Sequence, residues 1–537
     1  MHNCKSNAML RSWIVLGIVF TAVLSASGRP AWGQKPRPKK PAASLADRSG
    51  KTSKAVVRRT GGAAVGINLA FVIDHSTELV FADLFKQSRP WVSQQQGKPW
   101  GSGPALALDP DGWIKGLEPG QYASTIMCSE GGQPQGRYLC LYDGQGTLEF
   151  SGSATVVDGA PGRLLVNVSG DKQIILNLLA TDPQNPVRNI RLVLPGLENR
   201  FEKDPFTPYF LQRTSRFDVI RFMDWARTNN STLSEWENRT KPTHATQAAS
   251  SGVALEYMIE LCNRTGASPW FCMPHLASDS FVRQFADQVR SQLDRKSAVY
   301  VEHSNELWNP QFKQTTYARE KGGQLGLSNN SFQAQLLYHA KRSVEIFKIW
   351  REVFGNDKRL VCVLGSQTAN PWVTEQVINF PEADQYANAV AVAPYFGTQL
   401  GLARKTDHAK LSLDEIFAKC QAEIQENAEK VQRTVQLAGQ KNLKVVAYEG
   451  GQHLCGVEGA ENNTALTTLF HSANRDPRMK SLYVTSMNAW RASGGDLFCL
   501  YNSVARPSKW GSWGLLESEG QDPKTSPKYQ AITSFLK

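Results

Sequence analysis

"AVYVEHSNE" runs from Ala298 to Glu306. It opens on an unbroken apolar and aromatic run and closes on Glu302, His303, Ser304, Asn305 and Glu306. A short apolar run without alternation is the signature of a strand covered on both faces, as in a parallel sheet. Solubility alone would be met at its end by Gly, Asp or Lys. The cluster there, continued by "LWN" to Asn309, is suited to holding a carboxyl group in one particular place.

The same rhythm extends in both directions. Strand-like runs occur at "FDVIRFMDW" (217–225), "SPWFCMPH" (268–275), "RLVCVLGSQ" (359–367), "AVAVAPYF" (389–396), "LKVVAYEGG" (443–451) and "GDLFCLYN" (495–502). Amphipathic segments separate them, among them "ALEYMIELCNR", "FVRQFADQVRSQL" and "LDEIFAKCQAEIQENAEKVQRTVQLA". With "GINLA" near residue 66, the chain has eight strands alternating with helices, which predicts an α/β fold of the (β/α)8 TIM-barrel type. An open doubly wound sheet is the competing arrangement, but no Gly-rich dinucleotide fingerprint follows any strand.

The first β/α unit is expected over 63–94, with a helix at "STELVFADLFKQS" (76–88). Over 95–197 the texture changes to short β-type runs broken by Gly, Pro and Asp turns. These include "YLCLYDGQGTLEFSG" and "QIILNLLA", which predict an inserted all-β, sandwich-like module. Residues 198–537 are the remainder of the barrel.

The net charge of +12 is unevenly placed: +3 lies in residues 1–33 and +8 in residues 34–62, leaving +1 for the rest. A nearly neutral body lacks the basic face that a nucleic-acid-binding domain needs. Residues 1–33 read as a signal peptide: Lys5 and Arg11 precede the apolar "WIVLGIVFTAVLSA" (Trp13–Ala26), and "AWGQ" offers a cleavage site. Residues 34–62, rich in Lys, Pro, Ser and Ala, read as a basic disordered linker. The mature chain is then secreted, periplasmic or cell-surface, with no membrane span unless the signal stays uncleaved. Export permits disulfides. Of nine cysteines, Cys128–Cys140 and Cys262–Cys272 are the first pairs to test, and no spacing matches a zinc site.

In a TIM barrel, chemistry sits at the C-terminal ends of the strands. There the sequence puts Arg221 and Trp225 on the second strand, His275 on the third, Asn305 and Glu306 on the fourth, Tyr395 on the sixth and Glu449 on the seventh. Two strand-end glutamates facing one another suit glycoside hydrolysis. One carboxyl must be protonated to assist the leaving oxygen, and the other ionised to meet the sugar carbon. Glu302 points as Glu306 does but one layer deeper, as a structural ion-pair partner, and His303 faces the helices. Trp225, Trp308, Trp510 and Trp513 fall at or beyond strand ends, where aromatic faces can stack on sugar rings. No HExxH, GxSxG or P-loop occurs, and neither metal nor cofactor is expected.

"EHSNELW" (Glu302–Trp308) resembles the Asn-Glu acid/base motif of the clan A retaining glycoside hydrolases, and "VVAYEGG" (Val445–Gly451) resembles their nucleophile strand. The resemblance covers about 63–90 and 205–537. It implies Glu306 as acid/base, Glu449 as nucleophile, Asn305 on the substrate 2-hydroxyl, Arg221 supporting the nucleophile, His275 on substrate and Tyr395 donating to Glu449. The clan often carries Trp at the end of strand eight. This chain has "LYNS" (Leu500–Ser503), with Trp510 or Trp513 as replacements. The expected partner is a poly- or oligosaccharide. The rival expectation is a non-catalytic carbohydrate-binding protein on a barrel scaffold.

Overall fold

The computed structural model describes residues 64–404 and 406–536. The expected signal peptide and basic linker lie outside the described residues, as does Ala63. Eight parallel strands close into a barrel: Val65–Asn68, Val219–Arg221, Ser268–Met273, Val299–His303, Leu360–Gly365, Ala389–Val392, Lys444–Ala447 and Phe498–Leu500. Closure is made where the first strand pairs with both the second and the eighth, Gly66 lying opposite Val219 on one side and Cys499 on the other. The TIM barrel read from the alternating pattern is therefore the fold. The strands are short and buried on both faces, as in Ser268–Met273 and Ala389–Val392, because side chains fill the barrel interior and helices cover the outside.

The covering helices follow the 3.6-residue period. In Ser331–Phe354, Leu336, Ala340, Val344, Phe347 and Phe354 are buried along one stripe. The Asn330 side chain caps its start by accepting from the Gln333 N–H. Gly355 ends it with φ of 58°, a left-handed value that a β-carbon would disfavour. Leu413–Gly439 opens with a capping box between Ser412 and Glu415.

The helix expected at 76–88 does not form; only a 3₁₀ turn, Leu84–Gln87, is present. Side chains and distant backbone take over the hydrogen bonds that a helix would have made. Gln87 Oε1 accepts from the Val80 N–H at 2.7 Å, Ala82 N–H donates to Pro205 O at 2.8 Å, and Asp83 Oδ1 accepts from Phe85 and Leu192. Among the described residues, the α-helix between barrel strands one and two is Pro208–Thr214, which comes after the β module. The module is thus spliced into the connection leaving the C-terminal end of the first strand, the end where barrel chemistry sits.

Between Val92 and Val193 the module holds two four-stranded antiparallel sheets and a two-stranded one, Ala107–Leu108 with Ile114–Gly116. One four-stranded sheet holds Val92–Gln95, Gln121–Met127, Ile174–Thr181 and Gly146–Gly152; the other holds Arg188–Val193, Gly136–Asp143, Arg163–Val168 and Ala154–Ala160. Their shared core includes Met127, Tyr138, Cys140, Phe150, Val166, Ile174, Leu176 and Leu192, joined by Leu79, Leu84 and Phe85 from the incoming segment and Ala245 from the loop after strand two. Arg506, beyond strand eight, pairs with Glu130 of the module at 2.9 Å.

The two cysteine pairs chosen for testing are not bridged. All eight described cysteines are free and buried. Cys262 packs from a helix into the barrel core, while Cys272 lies with its Sγ 3.6 Å from Glu302 Oε2. The two face different partners, so their closeness in sequence does not make a bridge.

Candidate active site

Arg221 organises the floor of the site. It ends the second strand, is fully buried, and has donors enough for several acceptors at once. Nη1 donates to Glu449 Oε1 at 2.9 Å and to Asn68 Oδ1 at 3.1 Å. Nη2 donates to Glu302 Oε2 at 3.0 Å and to Asn305 Oδ1 at 2.9 Å, and Nε reaches the same Glu302 oxygen at 3.2 Å. Trp270 Nε1 adds a donor to Glu302 at 2.9 Å. Glu302 is therefore a buried ion-pair partner beneath the site.

A regular strand sends neighbouring side chains to opposite faces. Asn305 and Glu306 nonetheless both enter the site, because the fourth strand stops at His303 and the chain turns. Ser304 and Glu306 carry φ of 57° and 42°, left-handed values uncommon outside glycine. Strain of this kind persists where surrounding structure holds it. Here Gln314 Nε2 donates to Asn305 O at 2.9 Å, and Asn305 Nδ2 donates to Asn229 Oδ1 at 3.1 Å. Since Asn305 Oδ1 receives Arg221, its amide nitrogen is the group left to donate. His303 points outward, its Nδ1 3.2 Å from that of His339 on a covering helix.

The seventh strand likewise stops, at Ala447, before Tyr448 and Glu449. Glu449 Oε2 accepts from the Tyr395 hydroxyl at 2.9 Å. Glu306 Oε1 accepts from the Tyr448 hydroxyl at 2.7 Å, and its Oε2 from Asn309 Nδ2 at 2.9 Å. Burial holds both tyrosine hydroxyls well above their usual range, so they remain donors.

The two carboxyls differ in what surrounds them. Burial raises both. Glu449 is raised further by the charge on Glu306, but it touches the Arg221 cation and the Tyr395 hydroxyl, both of which favour its ionised form. Glu306 touches only neutral donors. The two titrate together: burial pushes Glu449 up to about 8, while its contact with Arg221 opposes that rise and favours placing the pair's negative charge on Glu449.

Around Glu449 stands an aromatic wall. The Trp513 ring lies 5.0 Å from that of His453, 5.7 Å from Tyr501 and 6.0 Å from Tyr395. Tyr501, where the clan pattern often places tryptophan, donates to Asp224 Oδ2 at 3.1 Å. Trp308 is buried, with its ring 6.4 Å from Tyr448.

Of the residues singled out from sequence, the structure brings Glu306, Glu449, Asn305, Arg221 and Tyr395 into one hydrogen-bonded unit, with Trp513 and Trp308 against it. Trp510 is tied to it through its backbone oxygen, which accepts from Trp513 Nε1 at 2.9 Å. His275 is buried at the end of the third strand against Tyr317, burial lowering its pKa to about 4, and it bonds neither glutamate. Trp225 is not at the mouth. It is 1% exposed and stacks on Phe210 at 6.0 Å in the layer between strand two and its helix. Sequence reading missed Asn68, Tyr448, Asn309, Asn229 and Tyr501. Their one sequence signal is a position at or just past a strand end. Among the described residues, no group of three or more His, Cys, Asp or Glu side chains is arranged to hold a metal ion. No helix among them is long and apolar enough to cross a membrane.

No protein-family model matches the chain, and no curated protein does. Among solved structures, 142 chains match. One is the GH51 arabinofuranosidase from Xanthomonas axonopodis pv. citri, with 11% identity and a TM-score of 0.37 over 59% of this chain and 63% of that one. Another is a GH5 xyloglucan-specific endo-β-1,4-glucanase from a metagenomic library, with 13% identity and a TM-score of 0.35 over 60% of this chain and 85% of that one. A third is a GH5-4 broad specificity endoglucanase from Clostridium acetobutylicum, with 11% identity and a TM-score of 0.36 over 60% of this chain and 88% of that one. The chain spans under two thirds of the length of the first of these. All three are similar to this chain at a distance.

Proposed function

We propose that this protein is an exported retaining β-glycosidase acting on a poly- or oligosaccharide. The observation that carries the reading is the asymmetry of two buried glutamates within one network: Glu449 is held by a cation, Glu306 by neutral donors. In the first step Glu449 attacks the anomeric carbon while Glu306 protonates the departing glycosidic oxygen, leaving a glycosyl ester on Glu449. In the second, ionised Glu306 takes a proton from water as that water attacks the same carbon and frees Glu449. Asn305 Nδ2 serves as donor to the hydroxyl beside the reacting carbon, and the Trp513 wall gives the sugar a ring to stack on. Export rests on the pattern of residues 1–33, and secreted, periplasmic or cell-surface placement follows from it.

A screen of soluble glycans with reducing-end detection tests the activity, and two variants test the assignment. Glu449→Ala loses activity on the order of 10⁴-fold, with azide restoring part of it as a product of inverted configuration. Glu306→Ala loses roughly 10²–10⁴-fold, less on substrates whose leaving group needs no proton, and azide then gives a product of retained configuration. Cleavage unchanged in both variants would place the chemistry elsewhere. A glycan bound by parent and variants alike, with none cleaved, would make the protein a carbohydrate binder.

A further inference from the structure

Tyr448 stands directly before Glu449 in sequence, yet its hydroxyl is bonded to the other glutamate, 2.7 Å from Glu306 Oε1. Its ring lies over the Arg221 guanidinium at 5.0 Å and 6.4 Å from Trp308. The side chain is fully buried and fixed on both sides. The other contact to Glu306, Asn309 Nδ2, comes from the same turn as Glu306 and moves with it. The Tyr448 hydroxyl ties the Glu306 carboxyl to the strand that carries Glu449.

We propose, building on the glycosidase reading, that Tyr448 is the positioning residue of the acid/base. Its hydroxyl holds Glu306 Oε1 at a set place relative to Glu449, so that Glu306 gives its proton to the leaving oxygen and later takes one from water without moving. A carboxylate has about four acceptor positions. Tyr448 and Asn309 occupy one on each oxygen, and each oxygen keeps another for the reacting groups. A hydrogen bond to an ionised carboxylate is stronger than one to the neutral acid. The Tyr448 hydroxyl therefore also favours the ionised state that the second step requires, opposing the burial that favours the acid.

The groups facing Glu306 are Arg221 from strand two, Glu302 beneath it on strand four, Tyr395 from strand six, and Tyr448 and Glu449 from strand seven. Tyr448→Phe leaves every other one in place, and its ring still covers Arg221 and meets Trp308. It removes one hydroxyl and nothing else.

Two readouts test the proposal. The first is the pH profile of kcat/KM on β-1,4-linked glucan, xylan and mannan oligosaccharides. With Tyr448→Phe the alkaline limb moves up by about one pH unit and kcat falls at least ~10-fold, while KM stays near the parent's. The second needs no turnover: infrared difference titration of the Glu306 carboxyl, assigned by its loss in Glu306→Gln, shows the same upward shift. Asn309→Ala removes the other donor and moves the titration in the same direction without removing the tie to strand seven, so its kcat falls less. If Tyr448→Phe leaves both the limb and the carboxyl titration where the parent has them, Tyr448 is only a packing residue. If the parent cleaves none of these oligosaccharides, the glycosidase reading is what suffers, and the infrared titration still decides whether the hydroxyl controls Glu306.

Discussion

Nη1 of Arg221 lies 2.9 Å from Oε1 of Glu449, in a guanidinium that solvent does not reach. The same side chain serves Glu302, so one buried cation is shared between two carboxyl groups. Removing one member of such a network leaves charge buried without a partner, which costs roughly 3–5 kcal/mol. Arg221→Met should lower the unfolding midpoint markedly. Arg221→Lys should fold better but lose most activity, because a point charge cannot serve Glu302, Asn305, Asn68 and Glu449 together. Losing the cation also favours protonated Glu449, so in the methionine variant the acid limb of any remaining rate profile should move up, whereas the lysine variant keeps the charge. Thermal melts and a pH–rate profile check both.

Asp224 is a buried carboxyl, outside the pair of site glutamates, whose ionisation opposes folding. Burial pushes it up to about 7, against the pull of Tyr501, Arg227 and Arg221. Its unfolded value is about 3.9. Folding therefore binds a proton between those limits, and the carboxyl's contribution to stability is present below the unfolded value and is lost as pH rises through about 7. Asp224→Asn removes this dependence and keeps an oxygen for Tyr501. The variant's unfolding free energy relative to the parent should rise from pH 4.5 to about pH 7, by at most ~1.4 kcal/mol per pH unit, and level off above that. A constant offset across that range would show that Asp224 does not titrate as described.

The β module should not be separable from the barrel. Phe85, from the segment entering the module, is 1% exposed and stacks on Trp113 of the module at 5.7 Å. Phe85→Ala should cost about 3–5 kcal/mol. Excision of 92–193 would bare Leu79, Leu84, Phe85 and Ala245, and the truncated chain should be insoluble or lack a cooperative transition. A soluble truncated barrel with a sharp melt would refute this.

With all eight described cysteines free and buried, reductant should leave the unfolding midpoint unchanged. Losing a native disulfide typically costs about 2–5 kcal/mol, so a clear drop in midpoint with dithiothreitol would reveal a bridge that this fold does not contain.

What could be read from the sequence was what neighbouring residues decide together. Apolar runs alternating with amphipathic segments specify strands buried on both faces, and eight of these specify the barrel. Glu306 and Glu449 stood out because each is a carboxyl at the end of such a run. The helix at 76–88 was misread because its apolar spacing is helical, while the side chains of Gln87 and Asp83 claim its backbone N–H groups. Trp225 was misplaced because an indole at a strand end suits the mouth and the outer layer equally, and only the position of Phe210 chooses between them. Tyr448 could not be read at all. Its hydroxyl meets a carboxyl 142 residues away, and strand alternation would have sent it from the pocket that Glu449 enters. Residue type and period act along the chain and so are visible in it. Which hydroxyl holds which carboxyl, and on which of two acids a shared proton rests, depends on distances and burial that exist only once the barrel closes.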